Sequence, residues 1–389
     1  MAHLQVGFWV GRGCRYDGGM DAALRQITER VRAALADRTS LRLRGGGSKD
    51  FHARALTGEL LDTRALQGVV SYEPSELVVT ARAGTSLAEL QALLAQHGQC
   101  LPFDPPHFGA ATVGGMVAAG LSGPARASVG AVRDYVLGVE LLNGRAELLR
   151  FGGQVMKNVA GYDVSRLMVG AWGTLGLITE VSLKVLAQAP AEATLRFDCT
   201  EAQALHWLNT WGGQPLPLDA SCWVEDAGRG MLFLRLRGAR AAVASACEAL
   251  GGERMDNALV AADWDACRDH RLPWFSDRLA HPELALWRLS VPPHAPVLAL
   301  PEGARGPLVE WHGALRWVQA PRSAAGALQA LAAAVGGTAQ MFHAESQRPL
   351  ADPPVPAAAG CANAALQQRV RQAFDPAGIF NPGRLRPLA

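Results

Sequence analysis

The stretch that most constrains the fold of this chain is Leu41–Asp50, which reads Leu-Arg-Leu-Arg-Gly-Gly-Gly-Ser-Lys-Asp. Its first four residues alternate between apolar and basic side chains, a pattern typical of a short strand. Glycines then allow positive φ and close approach of a ligand, and successive N–H groups in such a loop can form a concavity that attracts an anion. With Arg44 and Lys49 on either side, the stretch predicts a phosphate-binding loop, although a glycine triplet also occurs in plain surface turns.

Two common phosphate loops are excluded. A Walker-type loop requires Gly-x-x-x-x-Gly-Lys-Ser/Thr, and a Rossmann turn requires Gly-x-Gly-x-x-Gly between a strand and a helix. Neither pattern occurs around Gly45–Lys49. If this loop binds phosphate, it does so in a different fold.

Length, charge and cysteine usage restrict the class of protein further. The 389 residues suffice for roughly two or three domains with substantial cores. A formal net charge of +2 without a basic tract argues against a nucleic-acid or anionic-membrane surface. The seven cysteines never form a Cys-x-x-Cys pair, so the sequence indicates no zinc ribbon, iron–sulfur cluster or disulfide framework. The cytoplasm is then the default compartment.

The N-terminal 19 residues show neither helical nor strand periodicity and lack the leader pattern of a signal peptide. A helical pattern begins directly after Met20, because Leu24, Ile27 and Val31 recur at three- and four-residue steps. We therefore expect residues 1–19 to be an unstructured extension and Met20 to be the natural start.

The rest of the chain divides by pattern into two α+β regions and a tail. The first region covers residues 20–190, the second covers 191–360, and a C-terminal helix and tail cover 361–389. An alanine- and proline-rich stretch marks the first boundary. Tryptophans become frequent beyond it, where they indicate either a core or a partner surface.

Local signals in the first region predict a mixture of helices and strands. Ser86–Gly98 has a capping box at its start and a glycine stop, as expected for a helix. Asn143–Gly144 predicts a two-residue hairpin turn. Asp163 is expected to cap a helix through Val169, and Thr174–Leu186 to form one long strand.

A second glycine-rich region, Ala111–Gly120, follows a rigid proline segment. Small residues at this density allow a ligand or another backbone to approach closely. They equally allow one helix to pack tightly against a sheet, and the sequence leaves both interpretations open.

Several segments together resemble the vanillyl-alcohol-oxidase family of proteins with a PCMH-type FAD-binding domain. Their shared order and spacing over about residues 21–190, plus the tail, carry the resemblance. The segments are Arg44–Ser48, Ala111–Gly115, Gly130–Gly138, Lys157–Asp163, Gly173–Glu180 and Asp375–Arg384. Within that family, Phe151–Asp163 and Trp311–Trp317 are similar to runs in the E subunits of bacterial glycolate oxidases.

The resemblance implies an α+β fold with three parts. These are a PCMH-type FAD-binding domain of two α+β subdomains, a smaller α+β cap-like domain, and a C-terminal tail that returns to the FAD domain. The implied cofactor-binding residues are Arg44, Gly45, Gly46, Gly47, Ser48, Lys49, Asp104, Thr112, Val113, Gly114, Gly115, Ser122, Gly123, Gly130, Gly176, Ile178 and Asn381. For Asn381, a hydrogen bond to the flavin and a role in pinning the tail are both open.

The resemblance also bears on how FAD is attached. Several family members bind FAD covalently through a histidine at the phosphate loop. Here that place holds Ser48 and Lys49, and the nearest histidine is His52. We therefore expect non-covalent FAD.

Catalytic residues are harder to assign. Related dehydrogenases carry a metal-type histidine constellation in their C-terminal half, whereas the later histidines of this chain are isolated, so we expect no metal. Lys157, Tyr162 and Arg316 are the candidates for facing a flavin or a small carboxylate. Each residue type is also an ordinary structural hydrogen-bond donor.

The implied function is that of an FAD-binding subunit in a glycolate oxidase complex, which converts glycolate to glyoxylate. The implied partners are a catalytic flavoprotein subunit and an iron–sulfur subunit, and any contact with the inner membrane would be made through them. The subunit would relay electrons or serve as a scaffold without redox function. A free-standing FAD-dependent 2-hydroxy-acid dehydrogenase is the third alternative.

Overall fold

The computed structural model describes residues 21–52, 57–153, 162–343 and 361–384. The predicted extension, Met20 and Lys157 lie outside the described residues. The described chain forms a first domain up to residue 187 and a second domain from 191 to 343, each built on its own sheets. Within these described ranges, no helix is long and apolar enough to cross a bilayer.

The first domain alternates short helices and strands. Its helices are α1 (Ala22–Asp37), α2 (Leu87–Gln96), α3 (Val113–Ala119), α4 (Arg126–Val129), α5 (Val132–Tyr135) and α6 (Val164–Leu167). Its strands are β1 (Leu41–Arg44), β2 (Glu59–Asp62), β3 (Val69–Glu73), β4 (Val78–Arg82), β5 (Gln99–Cys100), β6 (Val136–Leu142), β7 (Leu148–Gly152), β8 (Leu177–Lys184) and β9 (Leu186–Ala187).

One subdomain is a small parallel sheet of β1 and β2 that packs against α1. The Asp21 carboxylate caps α1 by accepting from the N–H of Ala23. As the periodicity predicted, Leu24, Ile27 and Val31 lie on one face of α1, where they form a buried core together with the two strands. Burial of an aliphatic side chain contributes about 1.5–3 kcal/mol, so packing rather than intrinsic propensity holds this helix.

The other subdomain is a five-stranded sheet in the order β3-β4-β8-β6-β7. The predicted helix after Ser86 is confirmed, because the Ser86 hydroxyl accepts from the N–H of Glu89 at the start of α2. Leu87, Leu90 and Leu94 on its inner face are fully buried against the sheet core. A tight, fully apolar contact of this kind fixes the position of the loops that leave the sheet.

The second domain is dominated by one sheet. Its strands are β10 (Ala191–Asp198), β11 (Leu218–Asp226), β12 (Arg229–Gly238), β13 (Glu253–Arg254), β14 (Leu284–Ser290), β15 (Arg305–Glu310), β16 (Leu315–Pro321) and β17 (Thr338–His343). Its helices are α7 (Glu201–Gly212), α8 (Arg240–Leu250), α9 (Asn257–Arg268), α10 (Pro273–Ser276) and α11 (Ala325–Ala334). The final helix, α12 (Cys361–Phe374), precedes the tail.

The eight strands of the second domain pair in the order β13-β10-β12-β11-β15-β16-β14-β17. Their pairings are antiparallel, and strands distant in sequence become neighbours. For the tryptophans, the core interpretation holds where the side chain is buried. The buried tryptophans are Trp223, Trp264, Trp287, Trp311 and Trp317.

The predicted two-residue hairpin turn is wrong in length. The hairpin of β6 and β7 exists, but the connection runs from residue 143 to residue 147. Asn143 accepts from the N–H groups of Arg145 and Glu147, which builds a wider loop. Gly144 donates its N–H to the carbonyl oxygen of Phe374 at 2.9 Å. This bond joins the loop to the end of α12, a segment distant in sequence.

Two further boundaries differ from expectation. Asp163 caps a helix as predicted, but α6 ends at Leu167. The predicted strand Thr174–Leu186 is divided into β8 and the short β9, and it starts later because the Thr174 hydroxyl bonds to the carbonyl oxygen of Ala171 at 2.8 Å. That bond keeps Thr174 in a turn.

The tail returns to the first domain, as the fold resemblance implied. Leu41 of β1 donates its N–H to the carbonyl oxygen of Ile379 at 2.7 Å, and Asn381 donates its N–H to the carbonyl oxygen of Leu41 at 2.9 Å. The Asp375 carboxylate accepts from the N–H groups of Ile379 and Phe380. The tail thereby extends the small parallel sheet beside the glycine loop.

Candidate functional site

A groove begins where β1 ends, with the loop Gly45–Lys49 as one wall. Gly46 cannot carry a side chain, because a Cβ atom there would lie 1.4 Å from the carbonyl oxygen of Ala110. Gly47 has a φ of 71°, a conformation that glycine adopts without strain. In the described part of the chain, the N–H groups of Gly46, Gly47 and Ser48 have no hydrogen-bond partner. Such a row of N–H groups binds anions.

The second glycine-rich region forms the facing wall. Thr112 caps α3 by accepting from the N–H of Gly115 at 3.2 Å. A Cβ atom on Gly45 would lie 2.4 Å from the Thr112 hydroxyl, and one on Gly114 would lie 2.5 Å from the Cβ of Ala83. Gly114 therefore lets α3 pack closely against Ala83, and Gly115 lines the groove.

Lys49 supplies a buried positive charge at the loop. Its Nζ lies 3.1 Å from the Ser48 hydroxyl and 3.3 Å from the carbonyl oxygen of Pro106. Burial lowers the pKa of Lys49 to about 8, and the charge of Asp269 opposes that shift. Because the side chain bonds here to neutral groups, an anion in the groove would be its natural counter-charge.

Arg44 is less available than Lys49 for binding an anion in the groove. Its Nε donates a 2.7 Å hydrogen bond to the Asp50 carboxylate. Its guanidinium also lies over Gly47, so that a Cβ atom there would meet it at 2.3 Å. Arg44 thus shapes the loop in addition to lining the groove.

The far end of the groove is closed by the tail and by the turn before β8. Asn381 accepts from the N–H of Leu43 and donates to the carbonyl oxygen of Trp172, each at 2.7 Å. The guanidinium of Arg384 donates to the carbonyl oxygen of Lys49 at 2.9 Å and lies 4.9 Å from the ring centroid of Trp172. Sequence reasoning did not assign Trp172 or Arg384 to the site, although Trp172 directly precedes one recognised motif and Arg384 is the last residue of another.

The groove is open to solvent, and the empty space in and above it amounts to about 720 Å³. Many of the residues predicted to bind the cofactor line it together. Those residues are Arg44, Gly45, Gly46, Gly47, Ser48, Lys49, Thr112, Gly114, Gly115, Gly176, Ile178 and Asn381.

The remaining predicted cofactor residues lie outside the groove wall. Val113 is fully buried in the sheet core beneath it. Ser122 accepts from the N–H of Val132 at 3.2 Å, and Gly130 ends α4 with a φ of 96°. Asp104 forms an ion pair with Arg235 of the second domain. Ser122 and Gly130 thus serve the local fold of the first domain, and Asp104 serves its interface with the second domain.

Gly123 also serves the interface between the domains. Its carbonyl oxygen accepts from the indole N–H of Trp311 at 2.9 Å. A Cβ atom on Gly123 would lie 2.2 Å from the carbonyl oxygen of Asp104. The absence of a side chain at Gly123 therefore permits the close approach of the Asp104 backbone within the first domain.

The structure does not bring Arg316 or Tyr162 to the groove. Arg316 is fully buried in the second domain, where its guanidinium bonds to Glu201 at 3.0 Å and to the carbonyl oxygen of Ala295 at 3.0 Å. Tyr162 is 86% exposed and lies outside the groove wall. Lys157 falls in the part of the chain that is not described.

Three histidines that are isolated in the sequence, His52, His270 and His343, converge at the domain interface. His52 stacks on Trp172 at 4.7 Å, and its Nδ1 donates to the carbonyl oxygen of Phe342 at 3.0 Å. His270 stacks on Phe275 at 4.4 Å. This cluster could not be predicted from a sequence motif, because its members come from three separate segments.

These histidines are neutral at pH 7. Burial lowers the pKa of His52 to about 4, that of His270 to about 3 and that of His343 to about 4. Over the residues that the structure describes, no group of His, Cys, Asp and Glu side chains could hold a metal ion.

The groove fits a dinucleotide that carries a diphosphate. The unpaired loop N–H groups and Lys49 line the groove and would hold the diphosphate, and Gly115 and Gly176 bring no side chain into it. Bound FAD supplies hydride and electron transfer at its flavin ring, and the protein supplies position and electrostatics.

Comparisons with known proteins agree with this geometry. Residues 23–152 match the FAD binding domain family. The fold resembles that of alkyldihydroxyacetonephosphate synthase, with a TM-score of 0.62 and 16% identity over 92% of this chain and 74% of that protein. Fold and groove therefore define a PCMH-type FAD-binding protein.

A narrower relationship follows from relatives in sequence. The chain is 42% identical over 362 residues to the glycolate oxidase subunit GlcE of Escherichia coli K12, which covers 92% of this chain and 96% of that protein. The chain belongs to the GlcE family of glycolate oxidase subunits. It is also 30% identical to the glycolate oxidase subunit GlcD of Bacillus subtilis over 138 residues, covering 36% of this chain and 29% of GlcD.

Proposed function

We propose that this chain is the FAD-binding subunit of a complex that oxidises glycolate to glyoxylate. In this proposal it acts beside a catalytic flavoprotein subunit and an iron–sulfur subunit. The observation that carries the proposal is the groove itself, in which unpaired loop N–H groups and the buried Lys49 face a glycine wall. The near full-length similarity to GlcE supports the choice of complex.

The groove favours a redox role over a purely structural one. A scaffold has no need to keep a row of unpaired N–H groups and a buried ammonium group, both of which cost folding free energy without a ligand. Bound FAD would offset that cost. We therefore propose that the flavin of this subunit accepts or relays electrons.

We propose further that FAD is bound non-covalently. His52, the nearest histidine to the loop, uses Nδ1 for the carbonyl oxygen of Phe342 and lies against Trp172. Trp172, rather than His52, lines the groove. Acid precipitation of the purified protein should release all of its flavin into the supernatant.

The redox and scaffold alternatives are separated by a variant that closes the phosphate loop. Gly46→Ala places a Cβ atom 1.4 Å from the carbonyl oxygen of Ala110, so the loop must move and FAD affinity must fall. The three subunits are co-expressed, and assembly, flavin content and glycolate-dependent dye reduction are measured. The matched control is Gly326→Ala, since Gly326 lies in α11 with open space around it.

The redox proposal predicts that the Gly46→Ala complex assembles, lacks one flavin and loses most of its activity. The Gly326→Ala complex should retain both flavin and activity. An assembled Gly46→Ala complex that lacks this flavin and keeps full activity would instead establish a scaffold.

A further inference from the structure

A short segment of the first domain, residues 106–110, contacts the phosphate loop from outside the groove, and we call it the support segment. The carbonyl oxygen of Pro106 accepts from the Nζ of Lys49 at 3.3 Å. The carbonyl oxygen of Ala110 lies so close to Gly46 that a Cβ atom there would meet it at 1.4 Å. The position of the phosphate loop therefore depends on where the support segment lies.

The support segment is in turn held by the second domain. His107 donates its N–H to the carboxylate of Asp269, the residue that follows α9, at 2.8 Å. The ring of Phe108 lies 5.1 Å from that of His270 and 5.6 Å from the Nζ of Lys49. Phe108 has a φ of 45°, a conformation that a non-glycine residue keeps only where its surroundings impose it. Contacts from the second domain thus fix two consecutive residues of the segment.

Asp269 is the charged member of these contacts. Its carboxylate accepts from the guanidinium of Arg268 at 2.8 Å and lies 3.7 Å from that of Arg271. Burial alone would raise the pKa of Asp269, but the hydrogen bonds from Arg268 and from the N–H of His107 lower it below its usual value. The carboxylate is therefore ionised at neutral pH.

The charge of Asp269 also reaches the phosphate loop. Burial lowers the pKa of Lys49 to about 8, and the charge of Asp269 opposes that shift. Asp269 itself does not line the groove. It acts on the groove through the support segment and through the charge of Lys49.

We propose that Asp269 is a positioning residue for the cofactor, through which the second domain holds the phosphate loop in the shape that binds the FAD diphosphate. The bond from His107 keeps the carbonyl oxygens of Pro106 and Ala110 in place against the loop. The carboxylate charge keeps Lys49 protonated. The inference rests on the proposed binding of FAD in the groove, and it adds that the second domain contributes to that binding.

The test compares two substitutions of Asp269 with a matched control. Asp269→Asn removes the charge but keeps an oxygen that can accept from the N–H of His107, whereas Asp269→Ala removes both. The control is Asp265→Asn, because Asp265 lies one turn earlier in α9 and pairs with the same Arg268 at 2.7 Å, but is exposed.

The full-length chain of each variant is freed of FAD and titrated with FAD by calorimetry between about pH 6.5 and 9.5. Urea unfolding of the same samples records their stability. The other charged groups at the loop are Arg44, Asp50 and Arg384, and the first two are paired with each other. Burial lowers the pKa of His107, so this neighbour of Asp269 stays neutral over the range.

Asp269→Ala should weaken the FAD affinity about tenfold at pH 7, because the buried N–H of His107 loses a charged acceptor and the support segment loosens. Simple charge repulsion predicts the opposite sign, since removing a carboxylate near a bound diphosphate would strengthen binding. Asp265→Asn should bind FAD as the wild type does.

Asp269→Asn should shift the fall in FAD affinity to lower pH than in the wild type. The reason is that Lys49 loses the negative charge that favours its protonated form. A purely structural role of Asp269 would lower the stability without moving this pH profile. Asp265→Asn should keep the wild-type profile.

Two results would overturn the proposal. They are wild-type FAD affinity in Asp269→Ala, and a pH profile of Asp269→Asn that coincides with that of the wild type. Either result leaves the proposed function intact as long as the wild-type chain binds FAD, whereas a wild-type chain that binds no FAD would contradict both proposals. If Asp269→Ala fails to fold, the pH profile of Asp269→Asn still decides the question.

Discussion

The side-chain amide of Asn381 donates a 2.7 Å hydrogen bond to the carbonyl oxygen of Trp172, although 209 residues separate them in the chain. The same amide accepts from the N–H of Leu43 at 2.7 Å. One side chain thus ties the C-terminal tail to the strand before the phosphate loop and to the turn that closes the groove. The sequence left two roles open for Asn381, a hydrogen bond to the flavin and the pinning of the tail. The geometry favours the pinning of the tail.

Replacing this pin should weaken both the fold and the cofactor site. Asn381→Ala leaves the Leu43 N–H and the Trp172 carbonyl oxygen without their partner, which should cost about 2 kcal/mol in the free energy of unfolding. FAD affinity should fall by about tenfold, because Arg384 and Trp172 lose their alignment with the loop. Urea unfolding and FAD titration of the apoprotein measure the two effects.

The matched control is Asn209→Ala. Asn209 also donates to two carbonyl oxygens, those of Leu205 and Pro293, but it lies in the second domain away from the groove. Its loss should lower stability without changing FAD affinity. Equal FAD affinity in Asn381→Ala and the wild type would contradict the proposed role of the tail.

The affinity for FAD should depend on pH through Lys49. Burial lowers the pKa of Lys49 to about 8 in the free groove, and a bound diphosphate would raise it again. The affinity should therefore be constant below pH 8 and fall as the pH rises above it, because more of the free protein must then take up a proton on binding. FAD titrations between about pH 6.5 and 9.5 measure this dependence.

The stability of the apoprotein should follow the opposite trend. The folded pKa of Lys49 lies below its value of about 10.4 in an unfolded chain, so the unfolded state binds more protons between these two values. The contribution of Lys49 to the free energy of unfolding should rise with pH across that window. Lys49→Met should flatten both trends, whereas Lys184→Met, on β8 outside the groove, should leave both intact. A pH-independent affinity in the wild type would argue against Lys49 as the diphosphate partner.

The local part of the site could be predicted from sequence, because its chemistry is encoded in consecutive residues. The loop Gly45–Lys49 and the glycine-rich region Ala111–Gly120 are short motifs whose small residues allow close approach wherever they occur. Arg384 and Trp172 could not be assigned in this way. Arg384 reaches the groove because the tail pairs with β1. Trp172 is held there by its N–H, which donates to the carbonyl oxygen of Ala118 at 2.8 Å. Both positions depend on contacts between distant segments.

Arg316 should prove structural rather than catalytic. Its guanidinium bonds to Glu201 and to the carbonyl oxygens of Gly313 and Ala295 inside the second domain. Arg316→Met should lower the free energy of unfolding by about 3–5 kcal/mol, because it leaves Glu201 without its partner. The folded fraction should bind FAD with unchanged affinity. Arg240→Met, at an exposed position of α8, serves as the neutral control.

Denaturant unfolding and FAD titration at low temperature separate these two effects. Normal stability together with a loss of glycolate-dependent activity in the assembled complex would restore Arg316 as a catalytic candidate.

Asp104 should contribute to the domain interface and not to FAD affinity. Its partner Arg235 is only 3% exposed and also bonds to Asp219. Asp104→Asn should cost about 3 kcal/mol, the lower end of the range for breaking a buried pair, because Asp219 remains. Asp198→Asn, which disrupts an exposed pair with Arg196, should have little measurable effect.

Both variants are compared by thermal unfolding and by FAD titration. A loss of FAD affinity in Asp104→Asn without a loss of stability would return Asp104 to the cofactor site that the family resemblance implied.

The interface itself could not be predicted from sequence. His52 and His270 belong to no motif, and each contacts aromatic side chains of both domains. The hairpin after β6 makes the same point, because its loop bonds at Gly144 to the end of α12. Motifs of consecutive residues were recognised, whereas contacts formed by folding were not.

The most direct test of the account is the visible absorption spectrum of the chain within the reconstituted complex, before and after anaerobic addition of glycolate. The chain alone should show a flavin spectrum with one FAD per chain, released by acid. In the complex, this flavin should bleach when glycolate is added, and Gly46→Ala should remove that part of the signal. A chain that binds no flavin, or a flavin in this subunit that stays oxidised while the complex turns over, would contradict the redox role.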